Sequence, residues 1–423
     1  MKEDFLHYLW QFKKIDASNL KSTNGDVIYI ENLGTLNTNA GPDFFNAKLQ
    51  IAEQVWAGNV EIHLKSSDWY VHHHELDKAY DAVILHVVWE HDVEVFRKDN
   101  TQIPTLELKN YAFSESLVAY KHLFLKTHMW INCENDIHKI NDFLISNWLE
   151  KLFIERLEQK AAYINTLLES FQNDWEAVFF KLLAKNFGLK VNGDAFLQMA
   201  NQTPFSIIRK QQNSLKQLEA LFFGQSNLLN EDFQEAYPLE LQENYKFLTH
   251  KFQLQKSTVL LHFFRLRPNN FPTIRLSQLA VLYSLHSALF TKLMEAEEIK
   301  EIYKILKVET SPFWKTHFTF GKSSKESRKT LTTSFMDLII INTIIPMKFA
   351  YLKSKGVNDF ESLFSILKQI KPEKNTIIDK FKLLQVNVNS AFETQAMLQL
   401  KNNYCDKNKC LQCAIGNNIL QQK

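Results

Sequence analysis

The sequence predicts an α/β domain, a mixed sheet flanked by helices, over residues 1–112. A mostly α-helical domain is expected over 113–400, and a cysteine-rich tail over 401–423. Three observations carry this division. Apolar runs of strand length, bounded by turn residues, are concentrated in the first 112 residues. Four of the 10 glycines precede residue 60, which puts turn-making residues at the same end. From about residue 113 the apolar residues recur at i, i+3 and i+4, the period of a helix with one buried face.

Taken in order, residues 4–13 set Phe5, Leu6, Tyr8, Leu9 and Phe12 at helical spacing and predict an amphipathic opening helix. Asn24-Gly25 is a turn signal, and a strand is expected over 27–30. A loop rich in glycine and asparagine (Gly34, Asn37, Asn39, Gly41) leads to a strand over 44–51 and another over 59–64. A short polar helix over 75–80 precedes 83–89, which is apolar enough for a central strand. Two weaker strands, 93–96 and 105–108, are expected to close the region as a hairpin. In the helical part, Trp148, Leu149, Leu152, Phe153 and Leu157 mark one buried face within 145–171. Similar patterns recur over 175–187, 214–223, 279–293 and 360–370, and they predict core helices without chemistry of their own. No fixed-period repeat supports a solenoid.

Composition sets the class. A chain of 423 residues with 45% hydrophobic and 23% charged content is globular and long enough for two or three domains. The formal net charge of +2 means that any nucleic-acid contact must come from a local basic patch. The N-terminus lacks the basic and apolar regions of a signal peptide. The longest apolar run, 336–347, is interrupted by Asp337, Asn342 and Pro346 and is too short to cross a bilayer. A cytoplasmic protein with no membrane partner is expected. Four cysteines in this length do not suggest a disulfide framework.

Residues 41–91 concentrate the reactive side chains. Six of the 14 histidines lie between His63 and His91, with acids interleaved among them. Asp43 opens one expected strand, and Glu61, His63 and Lys65 alternate along the next, so these three share a face. A carboxylate, an imidazole and an ammonium on one face suit a divalent metal or acid–base catalysis. Asp43, Glu61, His63 and Lys65 are therefore the candidate catalytic residues. His72, His73, His74 and His86 are candidates to line the same pocket, with Asp68 an outlying member. The plainer alternative has Asp43 capping a turn, Glu61 paired with Lys65, and His86 as a hydrogen-bonded core residue.

Pro42-Asp43, then Glu61 and His63, on a helix–three-strand–helix–strand order, resembles the PD-(D/E)xK nuclease superfamily. The resemblance implies a restriction-endonuclease-like fold in which Asp43 and Glu61 hold Mg²⁺ or Mn²⁺, with the Ile62 carbonyl as a third candidate ligand. A metal-bound water would then attack a phosphodiester. His63 stands where that superfamily carries lysine. An imidazole can serve as a base or a ligand, and Lys65 is positioned to supply the charge. Over nearly its whole length the chain also resembles an uncharacterised bacterial family found mainly in Bacteroidetes. The stretches that carry this are Gly41-Pro42-Asp43-Phe44, Gly58-Asn59-Val60-Glu61-Ile62-His63, Ser66-Ser67-Asp68-Trp69, Arg267-Pro268-Asn269-Asn270-Phe271-Pro272 and the terminal cysteine segment. That family implies no activity of its own.

Two basic segments interrupt the helical part. Arg265, Arg267 and Arg275 surround a proline-stiffened turn, and Lys322, Lys325, Arg328 and Lys329 follow Gly321. Arg267, Arg275 and Lys322 are candidate phosphate contacts, against the alternative of a solvated loop. Gly321-Lys322-Ser323 resembles the end of a nucleotide-binding loop, but no glycine stands five residues earlier and no strand clearly precedes it, so that reading is rejected. Cys405, Cys410 and Cys413, with Cys133 from afar, offer four thiolates for Zn²⁺ or a [4Fe–4S] cluster. The layout resembles the iron–sulfur clamp of RecB-type nucleases, except that here the lone cysteine follows the nuclease-like core. The leading expectation is a metal-dependent nuclease acting on DNA or RNA. A non-catalytic nucleic-acid-binding or scaffold protein with a degenerate nuclease fold comes second. A hydrolase using the histidine-rich pocket on another substrate is third.

Overall fold

The computed structural model describes residues 1–37, 39–124 and 129–421. It divides into two compact units. The first comprises 1–149, 380–386 and 400–423, and the second 150–379 and 387–399. The expected boundary at residue 112 thus falls inside the first unit, and the cysteine tail belongs to that unit.

The first unit opens with α1 (Glu3–Gln11), which buries Phe5, Leu6, Tyr8, Leu9 and Trp10 and leaves Glu3 and His7 on its other side. Seven strands follow: β1 (Leu20–Lys21), β2 (Val27–Asn32), β3 (Thr35–Leu36), β4 (Phe44–Ile51), β5 (Gln54–Lys65), β6 (Val83–Glu90) and β7 (Thr105–Glu107). They form one mixed sheet in the order β1-β2-β4-β5-β6-β7, with the short β3 alongside β4. The pairs β2/β4 and β4/β5 are antiparallel, whereas β5/β6 and β6/β7 are parallel. A parallel pair needs a crossover. Here α2 (Asp68–Val71) and two 3₁₀ turns, His74–Leu76 and Lys78–Tyr80, supply it in place of the single helix expected over 75–80. Residues 83–88 of β6 are all buried, which fits their unbroken apolar run and central position. Gly58 lets β5 meet the start of β6, because a Cβ there would lie 2.5 Å from the Ala82 carbonyl oxygen.

The expected hairpin over 93–108 is not formed. Only a single bridge, Phe96 to Gln102, joins its two halves, and β7 pairs in parallel with β6 instead. Thr105 pairs with His86 in that ladder, so the short β7 is spent on extending the main sheet.

The second unit is helical. It continues the long helix α3 (Asp142–Ser170) and adds, among others, Trp175–Phe187, Leu189–Gln202, Leu215–Gln225, Ala236–Phe252 and Pro272–Leu285. Asp174 and Ser214 cap two of these with their side chains, each satisfying a backbone N–H of the first turn. The helix expected over 279–293 breaks at His286, whose backbone is extended and whose Nε2 lies 3.1 Å from the Ile305 carbonyl oxygen. Helical structure runs unbroken through Thr333–Ser354, 22 residues that include an 18-residue window of mean hydropathy 1.5, and 72% of that window is buried as in a core helix. Asp337, Asn342 and Pro346 interrupt the apolar run over 336–347 in the sequence, yet the helix passes through all three. A π-turn over Ile340–Ile344 directly precedes the segment carrying Pro346 and reroutes the backbone bonds that a proline cannot complete.

Candidate functional site

Asp43, just before β4, and Glu61, in β5, exchange hydrogen bonds through each other's strand. The Asp43 backbone N–H donates to Glu61 Oε2 at 3.1 Å, and Asp43 Oδ2 accepts from the Ile62 N–H at 2.9 Å. Both carboxylates are therefore fixed by backbone instead of by flexible side chains. The helix α1 brings two further groups to the same place. His7 Nε2 lies 3.2 Å from Asp43 Oδ2, and one donor atom each from Glu3, His7 and Asp43 lie within 4.8 Å of one another. His7 Nε2 is buried and has the Asp43 carboxylate as its ion-pair partner.

The other oxygen of Glu61 faces histidines. Oε1 lies 3.4 Å from His74 Nε2 and 3.5 Å from His63 Nε2. His63 Nε2 is 3.2 Å from His72 Nδ1, and His63 Nδ1 is 2.8 Å from His86 Nε2. Alternation along β5 explains why Glu61 and His63 share a face, and the parallel register sets His86 opposite Glu61 on that face. His72 and His74 come from the crossover. His73 between them adopts a left-handed conformation (φ 60°), which is uncommon for a residue with a side chain; its own ring is largely exposed. Tyr80 stacks on the His74 ring at 3.7 Å and holds it.

Burial and crowding set the charges here. Burial first, then the Asp43 carboxylate, raises Glu61 well above the usual carboxylate range. Burial, then Asp43, raises Glu3 to about 7. Burial opposes charge on His7, but the carboxylates of Asp43, Glu3 and Asp4 outweigh it and its pKa ends above 6.5. His63 goes the other way. Burial, with His86, His74 and His72 around it, keeps its ring neutral, and burial does the same for His86 and His74.

Of the four candidate catalytic residues, the structure joins Asp43, Glu61 and His63. Lys65 is exposed at the end of β5, and its backbone N–H is taken by Asp68 Oδ2 at 3.0 Å. Among the described residues no ion pair links Lys65 to Asp43 or Glu61, so Glu61 does not pair with Lys65 as the plainer alternative supposed. Glu3 and His7 escaped the sequence reading, although their spacing of four places them on one face of a helix.

Arg275 needs correction as a phosphate contact. It lies in the helix Pro272–Leu285, not on the turn, and is 5% exposed. Its guanidinium donates to Gln278 Oε1 at 2.8 Å and Asn270 Oδ1 at 2.6 Å and covers the Phe335 ring at 3.5 Å. Arg267 and Lys322 are exposed. Lys322 sits in a two-stranded hairpin, His317–Thr319 with Lys322–Ser323. A strand therefore does precede Gly321, but a second strand follows where a nucleotide-binding loop would start a helix.

The four cysteines are reduced and line one small pocket in the first unit, with Asn132, Tyr404 and Gly416. Asn132 Nδ2 donates to Cys410 Sγ at 3.4 Å. Burial, and then the neighbouring sulfurs, push the Cys133 and Cys405 thiols far up; Cys410 is raised to about 11. Gly416 is required where the chain folds back, since a Cβ there would lie 2.1 Å from the Cys410 carbonyl oxygen.

The chain belongs to the family described as "Protein of unknown function (DUF2851)", whose model matches residues 3–376. That match covers Asp43, Glu61, the histidines and Cys133, and ends before Cys405. No curated protein and no solved structure matches the chain.

Proposed function

We propose that this DUF2851 chain is a metal-dependent nuclease that hydrolyses phosphodiesters of DNA or RNA. The observation that carries the reading is the reciprocal bonding of Asp43 and Glu61 at adjoining strands, with Glu3 and His7 beside them. The element order supports it as well. A helix, an antiparallel β2-β4-β5 meander, a crossover and a strand parallel to β5 match the PD-(D/E)xK layout.

The donor set suits Mg²⁺ or Mn²⁺, which prefer oxygen ligands: the Asp43 and Glu3 carboxylates lie within one group with His7, and Glu61 adjoins it through the Asp43 N–H. Such a cation supplies Lewis-acid stabilisation of a phosphate and acidifies water. The chain's own residues hold the geometry, because the Ile62 N–H fixes Asp43 and the Asp43 N–H fixes Glu61. His63 takes the superfamily's lysine position without its charge. Its depressed basicity makes it a poor general base, so it acts as a neutral partner that orients Glu61.

The same burial of a neutral His63 favours a second reading, a nucleic-acid-binding protein without catalysis. Purified protein should cut single- or double-stranded DNA or RNA with Mg²⁺ or Mn²⁺, and Asp43→Ala or Glu61→Ala should abolish cutting while circular dichroism stays unchanged. Cutting that survives both substitutions rejects the assignment. Binding without cutting, in the wild type with Mn²⁺, selects the second reading.

For the cysteines, the reading is a Zn²⁺ or [4Fe–4S] site. Four thiolates on one Zn²⁺ stand about 3.8 Å apart, given bonds of about 2.3 Å. All four thiols line one pocket, and either group suits a four-thiolate shell.

A further inference from the structure

We propose that His63, His72 and His74, with Glu61 Oε1, form a second site in the same pocket that binds a transition-metal dication such as Zn²⁺. It is distinct from the oxygen-rich set of Glu3, His7 and Asp43. The site stands whether or not the carboxylates cut a phosphodiester.

Geometry is the first support. Four donors around one tetrahedral Zn²⁺, at bonds of about 2.0–2.1 Å, stand about 3.3 Å apart. Here one ring nitrogen from each of the three histidines falls within 4.8 Å of the others, with His72 Nδ1 3.2 Å from His63 Nε2, and Glu61 Oε1 adjoins the set at 3.4 Å from His74 Nε2 and 3.5 Å from His63 Nε2. Glu61 suits a shared role, since Oε2 faces Asp43 and Oε1 faces the imidazoles.

The surroundings are those of a metal ligand set. A histidine that binds through one ring nitrogen normally donates its other N–H to a fixed acceptor. With Nε2 turned to the donor set, His63 Nδ1 carries the proton and donates to His86 Nε2, 2.8 Å away. His86 then protonates at Nδ1, which is buried without a partner and makes no competing demand on the site. The His74 ring is clamped by Tyr80 and meets Trp69 edge-on at 5.4 Å. The left-handed His73 turns the chain so that the rings on either side of it face His63. Imidazole nitrogens with one carboxylate select Zn²⁺, Ni²⁺ or Co²⁺ over Mg²⁺.

The test is equilibrium dialysis of the metal-stripped full-length chain against Zn²⁺ in excess Mg²⁺, with bound metal counted per chain. Wild type should hold one Zn²⁺ more than His72→Ala and His74→Ala, whereas Asp43→Ala should retain it. His72 is exposed, so His72→Ala is expected to fold normally, and His72→Gln provides a second variant if it does not. With Co²⁺ as the probe, the histidine site should give visible ligand-field bands that vanish in His72→Ala. The thiol pocket's sulfur charge-transfer bands in the near-ultraviolet should stay. Equal Zn²⁺ counts in wild type and both histidine variants overturn the proposal, as does loss of the same Zn²⁺ in Asp43→Ala. If the carboxylates prove inactive but the histidine-dependent Zn²⁺ remains, the second site stands and the nuclease reading falls.

Discussion

Cys133→Ser is the most informative single change, because it tests a link that sequence distance disguises. Asn132 meets Cys410 across 278 positions, so a metal held by Cys133 and the tail closes a very long loop. Treated like a cross-link of that span, the closure disfavours the unfolded chain by about 5–6 kcal/mol. If the helical unit stays folded while the first unit opens, the flexible part shrinks to roughly 40 residues and the benefit to about 4 kcal/mol. With a urea slope of about 2 kcal/mol/M, the metal-free form should lose about 2–3 M in midpoint. The two units need not unfold together, so the assay is urea unfolding read by hydrogen exchange of peptides from 1–149. Protein purified without oxygen should carry a brown iron–sulfur chromophore or about one zinc per chain. Cys133→Ser and Cys410→Ser should lower metal content and midpoint alike. Full metal and an unchanged midpoint in Cys133→Ser would refute the link, and finding neither iron nor zinc would refute the site.

Three further outcomes follow from charge and burial. Glu3 has its folded pKa raised to about 7 from 4.5, so its contribution to stability is fully present below pH 4.5 and is lost as pH rises through about 7. Urea midpoints of metal-free wild type should therefore fall across that window relative to Glu3→Gln; parallel curves would show that Glu3 is not under this strain. Arg275→Ala should destabilise the helical unit by about 3 kcal/mol, because it strands Asn270 and Gln278 and uncovers Phe335. Arg267→Ala with Lys322→Ala should instead leave stability unchanged and weaken nucleic-acid binding most at low salt, and equal affinity across a salt series would remove them as contacts.

Local patterns were legible where one element decides them. The β4 limits, the central β6 and the helix Trp175–Phe187 follow from apolar runs and period, and Glu61 and His63 share a face because alternation along one strand requires it. What stayed hidden depends on partners distant in sequence. Thr105–Glu107 reads as a hairpin arm until the free edge of β6 claims it. Arg275 reads as a surface cation because its neighbours Asn270 and Gln278 look polar; only the fold turns them inward over Phe335. Glu3 and His7 carry a helix signal but no site signal, since their meaning comes from Asp43, which α1 reaches only in three dimensions.

A neutral imidazole at His63 gives these pieces one physical logic. Three carboxylates, from Glu3, Asp43 and Glu61, interact with one another, and only His7 among their close neighbours has its protonated form favoured. A lysine at position 63 would add a permanent charge, whereas the buried imidazole stays neutral and adds none. The residues therefore leave the pocket short of positive charge, and burial first, then the Asp43 carboxylate, makes Glu3 and Glu61 hold their protons more tightly. Protons are the weak way to neutralise such a pocket, because they occupy the lone pairs that would otherwise bind. A dication on the carboxylates would replace them, and a second on the imidazoles would add positive charge beside Glu61, whose two oxygens face the two sets. The imidazoles would then hold an exchangeable charge, so occupancy of the nitrogen-rich site should govern how strongly the carboxylates hold their own ion.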